Sequence, residues 1–235
     1  MIIRTGHMQH HVLGSLRVGN NYVYESPEMV FLWVTVNNTL SWMDHAKNAM
    51  GDIRKVNGLL SRLAAKVPRN HLRPIVHGLI MSKIRYCIAA FATVRSRETD
   101  PMNGIMRDLQ LELNRAMRLI CGVKLADRIS IHELIEKSKV PSINHIAAEA
   151  TLREIWRSIH ENLPLTDHLT PIDSIRIRTT RSEGQGLVQA EKNNTYTNAL
   201  AKLWNILPMD AKLATNPRQA FNAIKNFVKQ TFPLL

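Results

Sequence analysis

The side chains in this sequence with the most distinctive chemistry are cations. Lys47, Arg54, Lys55, Arg62 and Lys66 are spaced so that, at about 100° per residue of helix, they gather within roughly 120° of arc. Such a stripe, with few acids along it, suits phosphate oxygens: it neutralises a polyanion and releases its counterions. An ordinary solvated face mixes signs, because Glu and Lys four apart attract and like charges repel. A merely basic solvated face is the plain alternative, since salt screens the repulsion. Arg69 and Arg73 continue the series, and Arg176, Arg178 and Arg181 form a second basic group. The chain's overall charge points the same way, with 31 Lys and Arg against 19 Asp and Glu, net +12. Residues 41–99 hold eleven basic and three acidic side chains, whereas 1–40 and 100–165 are balanced.

Other chemistry is absent from the pattern. Two-metal phosphoryl transfer needs clustered carboxylates, and the chain has no Asp-Asp pair. The acids of 100–165 have Arg107, Arg115 or Lys137 nearby for helix pairing. His7, His10 and His11 have no carboxylate or thiolate beside them, and no metal or other cofactor is assigned. Cys87 and Cys121 are too isolated for a disulfide framework or a paired-cysteine zinc site. There is no phosphate-cradling glycine loop and no nucleophile elbow. Aromatic residues are 6% of the chain and none interleaves with the stripe, which favours phosphate or duplex-shape contacts over base stacking.

The elements that must carry the stripe follow from periodicity and breakers. "HHVLGSL" and "NYVY" read as a hairpin, and Phe31–Val36 as one buried strand. Ser41-x-x-Asp44 signals a helix start, and the run to Val67 makes a helix of about seven turns. Its apolar side is expected to be Ile53, Val56, Leu59, Leu60, Leu63 and Val67. A second helix runs from His71 to about Thr93, with Asn70 as cap and Pro74 tolerated in the first turn. Asp100-Pro101 starts a third and Gly122 ends it. "SIHE" caps a fourth at residue 130, and Ile143, Ile146, Ala147, Ala150, Ile155 and Ile159 mark a fifth. Residues 164–194 read as a long functional loop. "NALAKLWNIL" and a helix capped by Asn216-Pro217, with Phe221, Ile224 and Val228 on one side, close the chain. The expected fold is mainly α: a β element over 1–40, a basic helical pair over 41–99, and a helical region over 100–235, about seven helices in all. No run reaches the roughly 20 apolar residues of a membrane span, so a soluble intracellular chain, nuclear or cytoplasmic, is expected.

"FLWVTVNNTLSWMDHAKN", residues 31–48, resembles the segment after the catalytic palm in reverse transcriptases of jockey-type non-LTR retrotransposons. Phe31, Leu32, Val34, Leu40, Trp42 and His45 carry the pattern. "LLSRLAAKVPRNHLRPIVHGLIMSKIRYCIAAF" is similar to that family's paired thumb helices. "LQLELNRAMRLICGV", "LAKLWNILPMDAK" and "AFNAIKNFVKQTF" continue the likeness over most of residues 16–232. The resemblance implies the thumb and C-terminal part of an RNA-directed DNA polymerase, in which the basic helix grips RNA or an RNA–DNA duplex. The fingers, the palm and the catalytic carboxylates have no counterpart in this sequence, so binding is expected and catalysis is not. The missing portion of the polymerase is a further expected partner. Trp33 stands where the family has Gly, Asn37 where it has Asp, and Cys87 where it has Gly. The indole at a Gly position is expected to clash or to force repacking. The alternative reading is a helical protein-interaction or structural module from a degenerate element, with an exposed N-terminal strand edge.

Overall fold

The computed structural model describes residues 15–24, 26–39, 42–86, 88–92, 94–97, 99–100, 103–164, 169–171, 187–190 and 195–233. Among them the fold is mainly α, with short antiparallel hairpins at the N-terminal end. The chain forms two compact units, Met1–Phe91 with Asn103–Ile129, and Ala92–Met102 with Ser130–Leu235. The third predicted helix thus belongs with the basic pair rather than with the C-terminal region.

In the first unit β1 (Leu16–Val18) pairs with β2 (Asn21–Val23), and β3 (Glu28–Phe31) with β4 (Val34–Asn37). The single buried strand expected over Phe31–Val36 is therefore folded in two. The chain reverses at Leu32 and Trp33, whose φ values are 48° and 65°. Positive φ at both central residues is the signature of a type I′ two-residue hairpin loop, whose twist matches that of its strands. Phe31, Leu32 and Trp33 are exposed, and Thr35 is the buried residue of β4. At 88% exposure the Trp33 indole meets no clash, and the strain it brings is in the backbone.

Three bonds tie β4 to α1 (Met43–Leu63). The Thr35 backbone N–H donates to His45 Nδ1 at 3.5 Å, Asn48 Nδ2 to Thr35 Oγ1 at 3.1 Å, and Asn37 Nδ2 to Asp44 Oδ2 at 3.0 Å. Asp44 lies in the first turn, while Ser41 is outside the described residues. The buried line of α1 is Ala46, Met50, Ile53, Asn57 and Leu60, a 3.6-residue repeat. Leu59 and Leu63, expected in the core, are exposed, because α5 (Gly104–Cys121) covers a neighbouring arc. Leu109, Leu113, Ala116, Met117 and Ile120 make that covering side buried on α5.

The second helix starts at Arg69, two residues early, so Pro74 is interior to α2 (Arg69–Val76) rather than in its first turn. Proline removes one ladder bond, and the ladder then widens through a π-helical stretch (His77–Met81) into α3 (Ser82–Arg85). Tyr86, with ψ 115°, ends it well short of Thr93, and α4 (Ile88–Phe91) follows. Asp100 does not cap the third helix. Its Oδ2 accepts the Ser96 and Arg97 backbone N–H groups at 2.9 Å, closing a turn. α5 is capped by Asn103 instead, and it stops at Gly122, φ 67°, as its sequence predicts.

The second unit holds α6 (Ile131–Ser138), α7 (Ile143–Glu161), β5 (Leu169–Pro171), β6 (Val188–Ala190), α8 (Thr195–Asn205), α9 (Met209–Lys212) and α10 (Pro217–Thr231). Ser130, Ser142 and Asn216 cap α6, α7 and α10 through their side-chain oxygens. Ile155, Trp156, Leu200, Trp204, Ile224 and Val228 share one core, with Phe221 edge-on to Trp156 at 5.6 Å. β5 and β6 pair antiparallel within the segment read as loop. Asn144, in the first turn of α7, donates to the Arg95 and Pro233 carbonyls at 3.0 and 2.8 Å. Neighbouring His145 places Nε2 2.9 Å from the Phe232 carbonyl, so one helix start holds both the unit's first strand of chain and its last.

Candidate nucleic-acid interface

The basic stripe divides into two parts. Along the body of α1 each cation has a carboxylate. Lys47 Nζ is 4.0 Å from Asp44, Lys55 Nζ 3.4 Å from Asp52 Oδ1, and Arg54 Nε 2.8 Å from Glu112 Oε1 on α5. Glu112 is 4% exposed and also accepts from Arg115 Nη1 at 2.8 Å and from Asn57 Nδ2 at 3.3 Å. Burial pushes its carboxyl up, but the bond from Arg54, the charge of Arg115 and the bond from Asn57 outweigh it and leave it below the usual carboxylate range. The same bond raises Arg54. Arg54 therefore fastens α1 to α5. Sequence spacing offered Arg115 as a helix partner for Glu112, and nothing in it marked Arg54, 58 residues away.

From the last turn of α1 into α2 the arrangement changes. Among the described residues no carboxylate lies within ion-pair distance of Arg62, Lys66, Arg69 or Arg73, and all four are exposed. Arg62 Nε lies 3.4 Å from the Gly58 carbonyl of its own helix, and Lys66 follows the helix end. Arg69 Nη1 donates to the Cys121 carbonyl at 3.4 Å, while Arg118 Nη1 donates to the Lys124 and Asp127 carbonyls at 2.7 and 3.2 Å. The C-terminus of α5 leaves carbonyls without helical partners and carries partial negative charge, which attracts the Arg69 guanidinium, whereas Arg118 ties down the loop that follows the helix. The α1–α2 corner thus presents four cations whose charge is balanced by no acid in the described structure. Arg176, Arg178 and Arg181 lie outside the described residues, as do His7, His10 and His11.

Beside the paired part of the stripe is a cleft of about 340 Å³ that the sequence reading missed. Trp33, His45, Asn48, Asp52, Lys83 and Tyr86 are among its lining residues. The Tyr86 hydroxyl donates to the Leu32 carbonyl and holds the β3–β4 turn against α3. Lys83 Nζ sits 2.9 Å from Asp52 Oδ2, and that bond first of all keeps the Asp52 carboxyl below its ordinary value. Burial lowers His45. The resemblance marks positions 33 and 45, but only as pattern. Among the described residues no three His, Cys, Asp or Glu side chains come together to hold a metal ion, and no helix is long and apolar enough to cross a membrane. Comparison with protein-family models, with curated proteins and with solved structures finds no match to this chain.

Proposed function

We propose that the first unit binds nucleic acid without sequence preference, through phosphate contacts made by Arg62, Lys66, Arg69 and Arg73, with Lys47 and Lys55 flanking. The observation that carries this reading is the acid-free α1–α2 corner. On the resemblance described above, the ligand is template RNA or an RNA–DNA duplex and the chain is the thumb and C-terminal part of a retrotransposon reverse transcriptase, contributing grip rather than polymerisation. Arg54 supports the interface by holding α1 on α5.

The test is binding to labelled duplex, hybrid and single strands across a salt series. Each phosphate neutralised contributes about 0.9 to the log–log salt slope on duplex. Arg62→Gln, Lys66→Gln and Arg73→Gln together are expected to flatten it by about 2 to 3. Lys47→Gln with Lys55→Gln removes cations that already face carboxylates and is expected to flatten it by less than about one. A folded corner variant with the wild-type slope refutes the assignment.

A second reading, a protein-interaction module, draws on the exposed Val30, Phe31, Leu32 and Trp33 of a hairpin whose outer edges are unpaired among the described residues. Concentration-dependent self-association without salt-sensitive nucleic-acid binding would favour it.

A further inference from the structure

Two features of the cleft beside α1 have no explanation in packing. Its volume, about 340 Å³, falls in the range of small-ligand pockets. Its rim carries Trp33, 88% exposed at the tip of a turn in which both central residues have positive φ. A tryptophan there gains almost nothing from burial, and its backbone conformation disfavours every residue with a Cβ. Strain kept at an exposed position, and held from outside by the Tyr86 hydroxyl on the Leu32 carbonyl, marks a side chain placed for contact.

The polar lining narrows what that contact is. Asp52 and Lys83 neutralise one another at 2.9 Å, so the cleft offers no net charge to an ion. Asn48 spends one N–H on Thr35, and its amide oxygen has no partner among the described residues. With the Tyr86 O–H spent on the Leu32 carbonyl and His45 Nδ1 on the Thr35 N–H, the Trp33 indole face and the Asn48 amide oxygen remain to stack on and hydrogen-bond a neutral planar heterocycle. The occupant's charge is set by the surroundings. Asp52 also pairs with Lys55, and the cations that no described acid balances begin at Arg62, ten residues and about 15 Å further along α1. A planar base attached to phosphates satisfies both.

We infer that this cleft takes one unpaired nucleobase, stacked on Trp33, from the strand whose phosphates the basic face holds. The inference rests on the nucleic-acid reading above and names the feature of the ligand that reading leaves open: an unpaired end rather than continuous duplex. Aromatic residues are not interleaved with the stripe in sequence, and the β3–β4 turn supplies one in space.

The experiment uses the full chain and two RNA–DNA hybrids of equal charge, one blunt and one ending in a single unpaired 2-aminopurine. The wild-type protein is expected to prefer the overhang by about tenfold and to quench its fluorescence, as base–aromatic stacking does. Trp33→Gly, which suits the turn's φ and so keeps the fold, is expected to lose both the preference and the quench, while Trp33→Phe keeps part of each. Equal affinity for the two hybrids in the wild type overturns the inference, as does a preference that survives in Trp33→Gly. In both cases the phosphate-binding reading stands, because the blunt hybrid still binds. Failure of the folded chain to bind either hybrid at low salt overturns both.

Discussion

Replacing Trp33 by glycine separates backbone strain from side-chain contact. Its φ of 65° lies where an L-residue costs about 1–2 kcal/mol and glycine almost nothing. Glycine also widens the unfolded ensemble, which takes back about 0.5–1 kcal/mol. The indole is 88% exposed, so its removal forfeits little burial. The hairpin in Trp33→Gly is therefore expected to be more stable by about 0.5–1 kcal/mol. Trp33→Ala retains the Cβ and its strain, and no gain is expected. The suitable assay is amide hydrogen exchange at Phe31 and Val34, the pair that closes the turn, because a hairpin tip opens locally before the unit unfolds. Protection should rise by about two- to fivefold relative to Trp33→Ala. The bonds from β4 to His45, Asn48 and Asp44 couple the hairpin to α1, so a smaller rise in the urea midpoint should accompany it. If Trp33→Gly exchanges as fast as Trp33→Ala, the turn is not strained and the argument from strain to contact fails with it.

Gly122→Ala puts a Cβ at φ 67° and within 1.8 Å of the Arg69 guanidinium carbon. That side chain can swing away, so the loss in chemical denaturation should be close to the backbone term, about 1–2 kcal/mol. Displacing Arg69 from the Cys121 carbonyl should also weaken nucleic-acid binding, and a loss far below that range would place the helix end differently. His145 is lowered chiefly by burial, with Lys229 adding to it and the Phe232 carbonyl and Glu149 opposing. Its folded form sheds the proton that the unfolded chain binds, so stability is fully present above the unfolded value of about 6.5 and falls as pH drops below it. His45 acts with the same sign in the first unit. His145→Gln, which keeps an N–H for the Phe232 carbonyl, should flatten that decline in urea midpoints measured between about pH 5 and 7.5; an undiminished slope would assign the titration elsewhere.

Several helix ends were legible because each is decided within a few residues. Ser130, Asn216-Pro217 and Gly122 act on backbone groups no more than four positions away, and the structure has the predicted caps and stop at all three. Asp100-Pro101 carried the same kind of signal and failed, because the carboxylate found the Ser96 and Arg97 N–H groups first. The β3–β4 turn was illegible for another reason. Phe31-Leu32-Trp33-Val34 contains no turn-forming residue, and an apolar run has the same pattern whether it runs straight or folds back.

That the chain is mainly helical with an N-terminal β element, and that Lys47, Arg54, Lys55 and Arg62 share one arc of the first long helix, is legible residue by residue along the chain. Both follow from periodicity, which is set by the geometry of the backbone alone. Which of those cations are engaged depends on how the helices pack. Arg54 meets Glu112 because α5 packs on α1, whereas Arg62, Lys66, Arg69 and Arg73 sit at a corner that no described acid reaches. The same packing put Trp33 over a cleft on α1 and left Leu59 and Leu63 outside the core. A helical pattern fixes the angle between side chains on one helix; what stands opposite them depends on contacts tens of residues away, and those are settled when the helices pack.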